Sequence, residues 1–228
     1  MFYLVKTPEW VKKVFKNRVW DIPTTQQDIY LSFDDGPHPE HTVFVLDELK
    51  KYEAKATFFC IGKNVQAYPD VYRRIVDEGH AVGNHTFDHL NANKTQDKVY
   101  LQNVLQAKQY IDSKLFRPPY GRISGFIVKQ LKTPAYNLNT VMWTVLSGDF
   151  DVALNEEQCL QNVLLNTGAG SIVVFHDSEK ASAKMRFALP KLLEFFAGKG
   201  FEFKGIGLIE DKKMGLGRNP GPFLIRTL

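Results

Sequence analysis

Short apolar runs alternate with segments of helical period along most of this chain, and no other feature limits its fold as much. The runs are Ile29–Phe33, Ala56–Ile61, Ala81–Gly83, Val141–Val145 and Ser171–Phe175, with a weaker one at Phe201–Phe203. Between them Val43, Val45, Leu46, Leu49 and Tyr52 share a helical face, then Val71, Tyr72, Ile75 and Val76, then Leu101, Val104, Leu105 and Ile111. Leu160, Val163 and Leu164 mark a later helix, and Leu189, Leu192, Leu193 and Phe196 the last. Such alternation requires parallel strands joined by crossover helices, either closed into a barrel or opened as a doubly wound sheet. The 228 residues match the span of one α/β barrel, about 200–250 residues. No repeat, low-complexity tract or linker divides them. Residues 1–228 therefore read as a single catalytic domain. It has an N-terminal prelude over 1–27 and a Gly- and Pro-rich tail over 207–228 that is expected to wrap the surface.

Composition narrows the class of partner. With 44% hydrophobic and 24% charged residues the chain is that of an ordinary globular protein. Its net charge of +4 is spread thinly, which argues against nucleic acid. No run of 18 or more apolar residues suits a transmembrane segment. The opening Met1–Val5 is shorter than the apolar core of a signal peptide, so the expected location is cytoplasmic, with peripheral membrane association or export left open. Thr7-Pro8-Glu9 reads as a helix start, with Thr7 as cap and Pro8 at the first helical position. Trp10, Val11, Val14 and Phe15 would then cover one end of the core. Cys60 and Cys159 stand in no metal-binding spacing. Cys60 reads as a small buried residue, and the sequence leaves open whether the two ever pair.

In parallel α/β folds the chemistry sits where strands end, and the residues just past the apolar runs are unusual. "IYLSFDDGPHP" ends on Asp34-Asp35. Asp before Gly is ordinary at a turn, yet two adjacent carboxylates oppose each other's ionisation unless cations converge on them. "HTFDH" sets His85 and His89 four apart, so one ion could be gripped by both, with an aspartate completing a three-ligand site. "FRPPYGR" holds Arg117 beside a stiff Pro118-Pro119 pair, where it could neutralise an aspartate. "VMWTVLSGDFD" brings Trp143, Asp149 and Phe150, and "SIVVFHD" runs out to His176. Each feature alone has a plain structural reading; their concurrence at strand ends does not. His38 and His41, beside Pro37 and Pro39, read as structural or surface residues.

These segments resemble the ordered motifs of the polysaccharide deacetylases with a NodB homology domain, carbohydrate esterase family 4: T-F-D-D, H-x-x-x-H, R-x-P-Y, D-x-x-D-W and L-x-H. Here they stand as "SFDD" at 32–35, "HTFDH" at 85–89, "RPPY" at 117–120, "LSGDF" at 146–150 and "VFH" at 174–176. The resemblance implies a distorted, incomplete (β/α) barrel and metal-dependent removal of N-acetyl groups from acetylated amino sugars, releasing acetate. Carried over by position, Asp35, His85 and His89 bind one divalent ion, zinc before cobalt, nickel, manganese or iron. Asp34 becomes the general base held by Arg117, and His176 the general acid tuned by Asp149. Tyr120 offers its backbone N–H to the oxyanion, and Tyr120, Phe150 and Trp143 offer faces to a sugar ring. The chain departs from the pattern at Leu146, where the family has the first Asp of its fourth motif, and at Phe150, where it has Trp. Two alternatives follow: hydrolysis of another small C–N bond, a cyclic amide or ureide, and an inactive carbohydrate-binding relative.

Overall fold

The computed structural model describes residues 3–207; Met1, Phe2 and residues 208–228, and with them the expectation that the tail wraps the surface, lie outside the described residues. In chain order the elements are α1 (Glu9–Val14), β1 (Asp28–Asp34), α2 (His41–Lys50), β2 (Thr57–Cys60), α3 (Gly62–Ala67), α4 (Pro69–Asp77), β3 (Ala81–Asn84), α5 (Asp97–Lys108), β4 (Leu115–Phe116), α6 (Gly125–Leu131), β5 (Asn139–Thr140), β6 (Val145–Leu146), α7 (Glu156–Asn166), β7 (Ile172–His176), α8 (Ser182–Ala197) and β8 (Glu202–Phe203). The strands lie in the order β5-β4-β3-β2-β1-β7-β6, all parallel, and β8 adds to the start of β1. This is the incomplete (β/α) barrel expected from the sequence: a curved parallel sheet, open between β5 and β6, with helices packed outside it.

β1 lies inside the sheet, between β2 and β7, and its two faces do different work. Alternate side chains of a strand point to opposite faces. Ile29, Leu31 and Phe33 pack outward among Val45, Leu46, Leu49, Met185, Leu189 and Leu192 of α2 and α8. All three are fully buried, each contributing roughly 1.5–3 kcal/mol, so the strand tolerates a polar row on its concave side. That row is Ser32 and Asp34, both buried, with Tyr30 behind them. Register then lines up the strand ends: Asp34 lies opposite His176 of β7 and Phe59 of β2, and Asn84 of β3 opposite Phe116 of β4.

The apolar run Val141–Val145 is not one strand. Its first part continues β5, with the Val141 N–H donating to Phe116, and its last part joins β7, with the Thr144 N–H donating to Ile172. One extended run thus crosses the open side of the barrel and changes partner midway, so it reads as a strand in sequence.

The prelude closes that side. Lys6 bridges to Val145, Val19 to Val141 and Asp21 to Ser171. Supporting bonds run from Leu146 N to Val5 O at 2.8 Å, Thr7 N to Thr144 O at 2.8 Å and Met142 N to Val19 O at 2.7 Å. Two expectations for this segment are corrected. Pro8, not Thr7, occupies the N-cap of α1, because the Thr7 hydroxyl is drawn to the Trp143 carbonyl at 2.9 Å. Nor does α1 cover the core: it buries none of its residues, and Trp10 and Val14 are 65% and 64% exposed. Being tied to the open edge rather than to the sheet's outer face, it borders the cleft at the strand ends.

Gly170 fastens the prelude to β7. Its φ is +78°, and a Cβ there would stand 2.4 Å from the Ile22 carbonyl oxygen, whose own N–H donates to Gly170 O at 2.9 Å. Gly170→Ala should lower the unfolding free energy by about 1–3 kcal/mol. Urea titration checks this: the midpoint should fall, and an unchanged midpoint would show that the prelude is not fastened here.

Candidate active site

A cleft of about 850 Å³ opens at the C-terminal strand ends and is lined by Asp34, Asp35, His85, His89, Tyr120, Trp143, Phe150 and His176 among others. All ten side chains singled out in the sequence lie in or directly behind it. Arg117 and Asp149 are the two behind, both fully buried.

The two aspartates are separated by their partners. Asp34 ends β1 facing inward, and its Oδ1 accepts from Arg117 Nη1 at 2.7 Å. The same Nη1 reaches Ser32 Oγ at 2.8 Å, Nη2 donates to Met142 O at 2.9 Å, and the guanidinium lies 4.0 Å above the Phe59 ring. Burial pushes the Arg117 pKa down while the Asp34 charge pulls it back up. Arg117 is thus an interior counter-ion, not a residue of a solvated surface loop. Asp35 leaves the strand with φ +83°, which turns its side chain away from Asp34 and toward the histidines. Its backbone carbonyl accepts from Asn64 Nδ2 at 2.8 Å.

His85 and His89 belong to a loop after β3 rather than to a helical turn. Thr86 and His89 take left-handed backbone conformations, φ +65° and +58°, at a cost of order 1–3 kcal/mol each. Asn84 and Asn103 hold the loop in that shape: Asn84 Oδ1 accepts from Thr86 N at 2.8 Å, and Asn103 Oδ1 accepts from Phe87 N and Asp88 N at 2.9 and 3.0 Å. His85 Nδ1 donates to the Arg117 carbonyl at 2.7 Å, which leaves Nε2 as a bare lone pair. Burial takes the His85 pKa down to about 4, so the ring is neutral. Asp35 Oδ1 lies 3.7 Å from His85 Nε2 and 3.2 Å from His89 Nε2 and is buried without a hydrogen bond. Burial opposes its ionisation, but the neighbouring imidazoles outweigh this and hold the carboxylate well below its usual range. One carboxylate and two imidazoles, with ligand atoms all within 4.8 Å of one another and an orphaned buried oxygen among them, are a donor set that fits a divalent ion.

His176 Nδ1 donates to Asp149 Oδ1 at 2.8 Å, and Asp149 Oδ2 accepts the His176 backbone N–H at 2.6 Å. Burial disfavours the imidazolium, but the charge and hydrogen bond of Asp149, with Asp35 and Asp34 beyond, raise the His176 pKa to about 10. Phe150 meets the His176 ring edge-on at 5.2 Å and packs on Tyr3 at 5.1 Å. Leu146 is a buried part of the cleft lining whose N–H holds the prelude. Tyr120 is exposed, with φ +60°, in a 3-10 turn at Pro119–Gly121. Trp143 packs so closely on Gly121 that a Cβ there would meet its ring at 2.4 Å.

Sequence reasoning missed several neighbours. Asp177 accepts from Gly36 N at 3.0 Å and from the Thr42 hydroxyl, bracing the turn after Asp35; burial pushes its pKa up to about 7. It follows His176 directly, and that adjacency was the available signal. Asn64, Tyr3 and Arg18 carried none. A second cluster, His38, His41 and Glu179, also gathers within 4.8 Å, but three of its four imidazole nitrogens already have partners. His41 Nδ1 accepts from Arg186 at 3.3 Å and Nε2 donates to Glu179 at 2.8 Å. His38 Nδ1 accepts from Glu40 N and His41 N. Both cysteines are buried and free.

A parallel half-barrel with carboxylates and imidazoles gathered at its C-terminal strand ends is the framework of a barrel-type enzyme. Comparison with known proteins specifies which. The family model described as polysaccharide deacetylase matches residues 21–138. A peptidoglycan-N-acetylglucosamine deacetylase of Bacillus cereus is 35% identical over 190 residues, covering 81% of this chain and 88% of that protein. A chitooligosaccharide deacetylase of Azorhizobium caulinodans is 35% identical, covering 68% and 76%. Among solved structures, the Bc1960 peptidoglycan N-acetylglucosamine deacetylase superimposes with a TM-score of 0.78 at 30% identity, covering 88% of this chain and 95% of that one. The chain belongs to the polysaccharide deacetylase family, carbohydrate esterase family 4, whose enzymes act on acetylated amino sugars and whose membership implies a divalent metal. No helix of the described residues is long and apolar enough to cross a membrane.

The buried Arg117–Asp34 pair can be tested directly. Arg117→Met would leave Asp34 uncompensated and should cost about 3–5 kcal/mol of stability in metal-free protein. Urea unfolding would show it, and a loss below about 1 kcal/mol would mean that Asp34 is solvated without its partner.

Proposed function

We propose that residues 3–207 act as one catalytic unit that hydrolyses the acetamide of an acetylated amino sugar in a glycan, peptidoglycan-like before chitooligosaccharide-like, releasing acetate and a free amine. The observation that carries this reading is the sorting of the adjacent carboxylates, Asp34 onto Arg117 and Asp35 toward the two imidazoles. A divalent ion held by Asp35, His85 and His89, zinc by preference, would polarise the acetamide carbonyl and acidify water. Asp34, held and aimed by Arg117, accepts the proton of the attacking water. The Tyr120 backbone N–H faces the developing oxyanion. The amine is too basic to leave unprotonated; His176 Nε2 delivers its proton while Asp149 holds Nδ1 and stabilises the imidazolium. Atoms balance: water supplies hydroxyl to the acetyl carbon and hydrogen to the nitrogen.

Phe150, Tyr120 and Trp143 form apolar faces on which a sugar ring can rest. Leu146 removes an acid of the family pattern from the lining, yet His176 keeps Asp149, so the departures bear on substrate fit rather than on proton transfer. The complete ligand and acid–base set speaks against an inactive relative. A peptidoglycan substrate would place the protein at the cell wall, against the cytoplasmic location expected from its opening residues.

Two variants separate the aspartates. Asp35→Asn should lose zinc in a metal-content measurement. Asp34→Asn should retain zinc and lose turnover by on the order of 10²–10⁴ in acetate release from peptidoglycan fragments. Equal metal loss in both would make Asp34 a ligand and overturn the assignment of base.

A pH series tests the acid. The rate should fall on the alkaline side as His176 loses its proton. Asp149→Asn removes the negative partner, so the imidazolium is less stable, its pKa falls and the alkaline limb should move to lower pH. An unmoved limb would remove His176 from the role.

A further inference from the structure

Arg18 stands in the cleft wall without an acid to face. The prelude puts it there: Val19, the next residue, donates to Thr140 O at 2.9 Å and accepts from Met142 N at 2.7 Å. Arg18 Nη2 donates to the Ile123 carbonyl at 3.1 Å, and the guanidinium lies over the Phe15 ring at 4.6 Å. These contacts fix the plane of the fork but supply no counter-charge. Among the described residues no carboxylate lies within 4.0 Å of Arg18, and its Nε is buried with no hydrogen-bond partner.

The two acids that the prelude offers go elsewhere, since Glu9 and Asp21 both pair with Lys12, at 2.7 and 2.5 Å. Inside the cleft the two carboxylates of the reaction centre are also committed, Asp34 to Arg117 and Asp35 to the histidine cluster. Arg122 and Lys180 line the same cleft and, among the described residues, form no ion pair of their own. A partly buried, oriented guanidinium with no acid partner is open to an anionic ligand. Its planar fork suits an oxyanion with two oxygens in one plane. Burial lowers the Arg18 pKa, as expected of a cation short of a partner.

We propose that Arg18 binds a carboxylate on the substrate, so that the preferred acetylated amino sugar carries an acidic substituent close to the hydrolysed acetamide. Two sources share this chemistry: a carboxylic acid ether-linked to a sugar ring, and the carboxylate of a short peptide attached to it. The inference rests on the deacetylase reading and deepens it by naming a substrate class. Arg18 touches the substituent and not the reacting atoms, so it sets specificity.

The test measures kcat/KM for acetate release from a neutral N-acetylglucosamine oligomer, from an oligomer with a ring-linked carboxylic acid and from its primary amide. A fourth substrate has the ring acid amidated but bears a peptide ending in a carboxylate. The wild type should favour one acid over its amide by on the order of tenfold or more, and added salt should shrink that ratio. The acid that shows the preference identifies the source. Arg18→Gln should bring the ratio close to one, and Arg18→Lys should restore part of it by keeping the charge without the fork. A wild type indifferent to both acids would overturn the proposal. So would an Arg18→Gln variant that keeps the ratio while losing activity equally on every substrate, which marks a structural role. Absence of acetate from all four, the neutral oligomer included, would overturn the deacetylase reading and this inference with it.

Discussion

The buried pair of Arg117 and Asp34 is the constraint around which the rest of the molecule is arranged. A guanidinium with no solvent exposure is tolerable only if its hydrogens are satisfied, and the barrel interior does that with Ser32 Oγ, Asp34 Oδ1 and the Val141 and Met142 carbonyls. Those acceptors come from both sides of the open barrel, β1 on one and the run after β5 on the other. The pair therefore ties the sheet together at its concave centre as well as fixing one carboxylate. Because Asp34 is held there, Asp35 is the one left to turn outward, and the left-handed backbone at Asp35 makes that turn. The Arg117 carbonyl also accepts from His85 Nδ1, so the same residue orients Asp34 with its side chain and His85 with its backbone.

The open side of the barrel is where the prelude attaches. A closed barrel would fill the gap with another strand; here the prelude spans it and lends the cleft one wall. Tyr3, Val11, Phe15 and Arg18 line the cleft beside residues of the strand ends. The departures from the family pattern face that wall. Phe150 packs against Tyr3, and the Leu146 N–H donates to the Val5 carbonyl. Substitutions in the fourth motif and attachment of the prelude are thus parts of one local arrangement, which leaves His176 and Asp149 undisturbed.

Much of this was legible in the sequence because the strands around the site are short, apolar and end on charged residues. β1, β2, β3 and β7 could be found from the apolar runs, and β1, β3 and β7 end at the chemistry that the fold gathers. The four-residue spacing of His85 and His89, the doubled aspartate and the stiff Arg-Pro-Pro segment survive as signals since each depends on local backbone. What could not be read depends on distant partners. β4 is only Leu115–Phe116, too short to show a period, and α3 and α6 are brief helices of six and seven residues. The run Val141–Val145 looked like one strand because pairing partners are invisible in sequence. Thr7 looked like a cap because nothing near it announced the Trp143 carbonyl. Arg18 and Asn64 gave no sign, their roles arising from the prelude's path and from the Asp35 turn.

The division of labour between the adjacent aspartates is the central claim, and a crystal structure of the protein soaked in zinc tests it most directly. One ion should bond to Asp35 and to the Nε2 atoms of His85 and His89, at about 2.0–2.2 Å, with Asp34 still paired to Arg117. An ion bonded to Asp34 in place of Asp35, or seated on His38, His41 and Glu179 instead, would contradict the account.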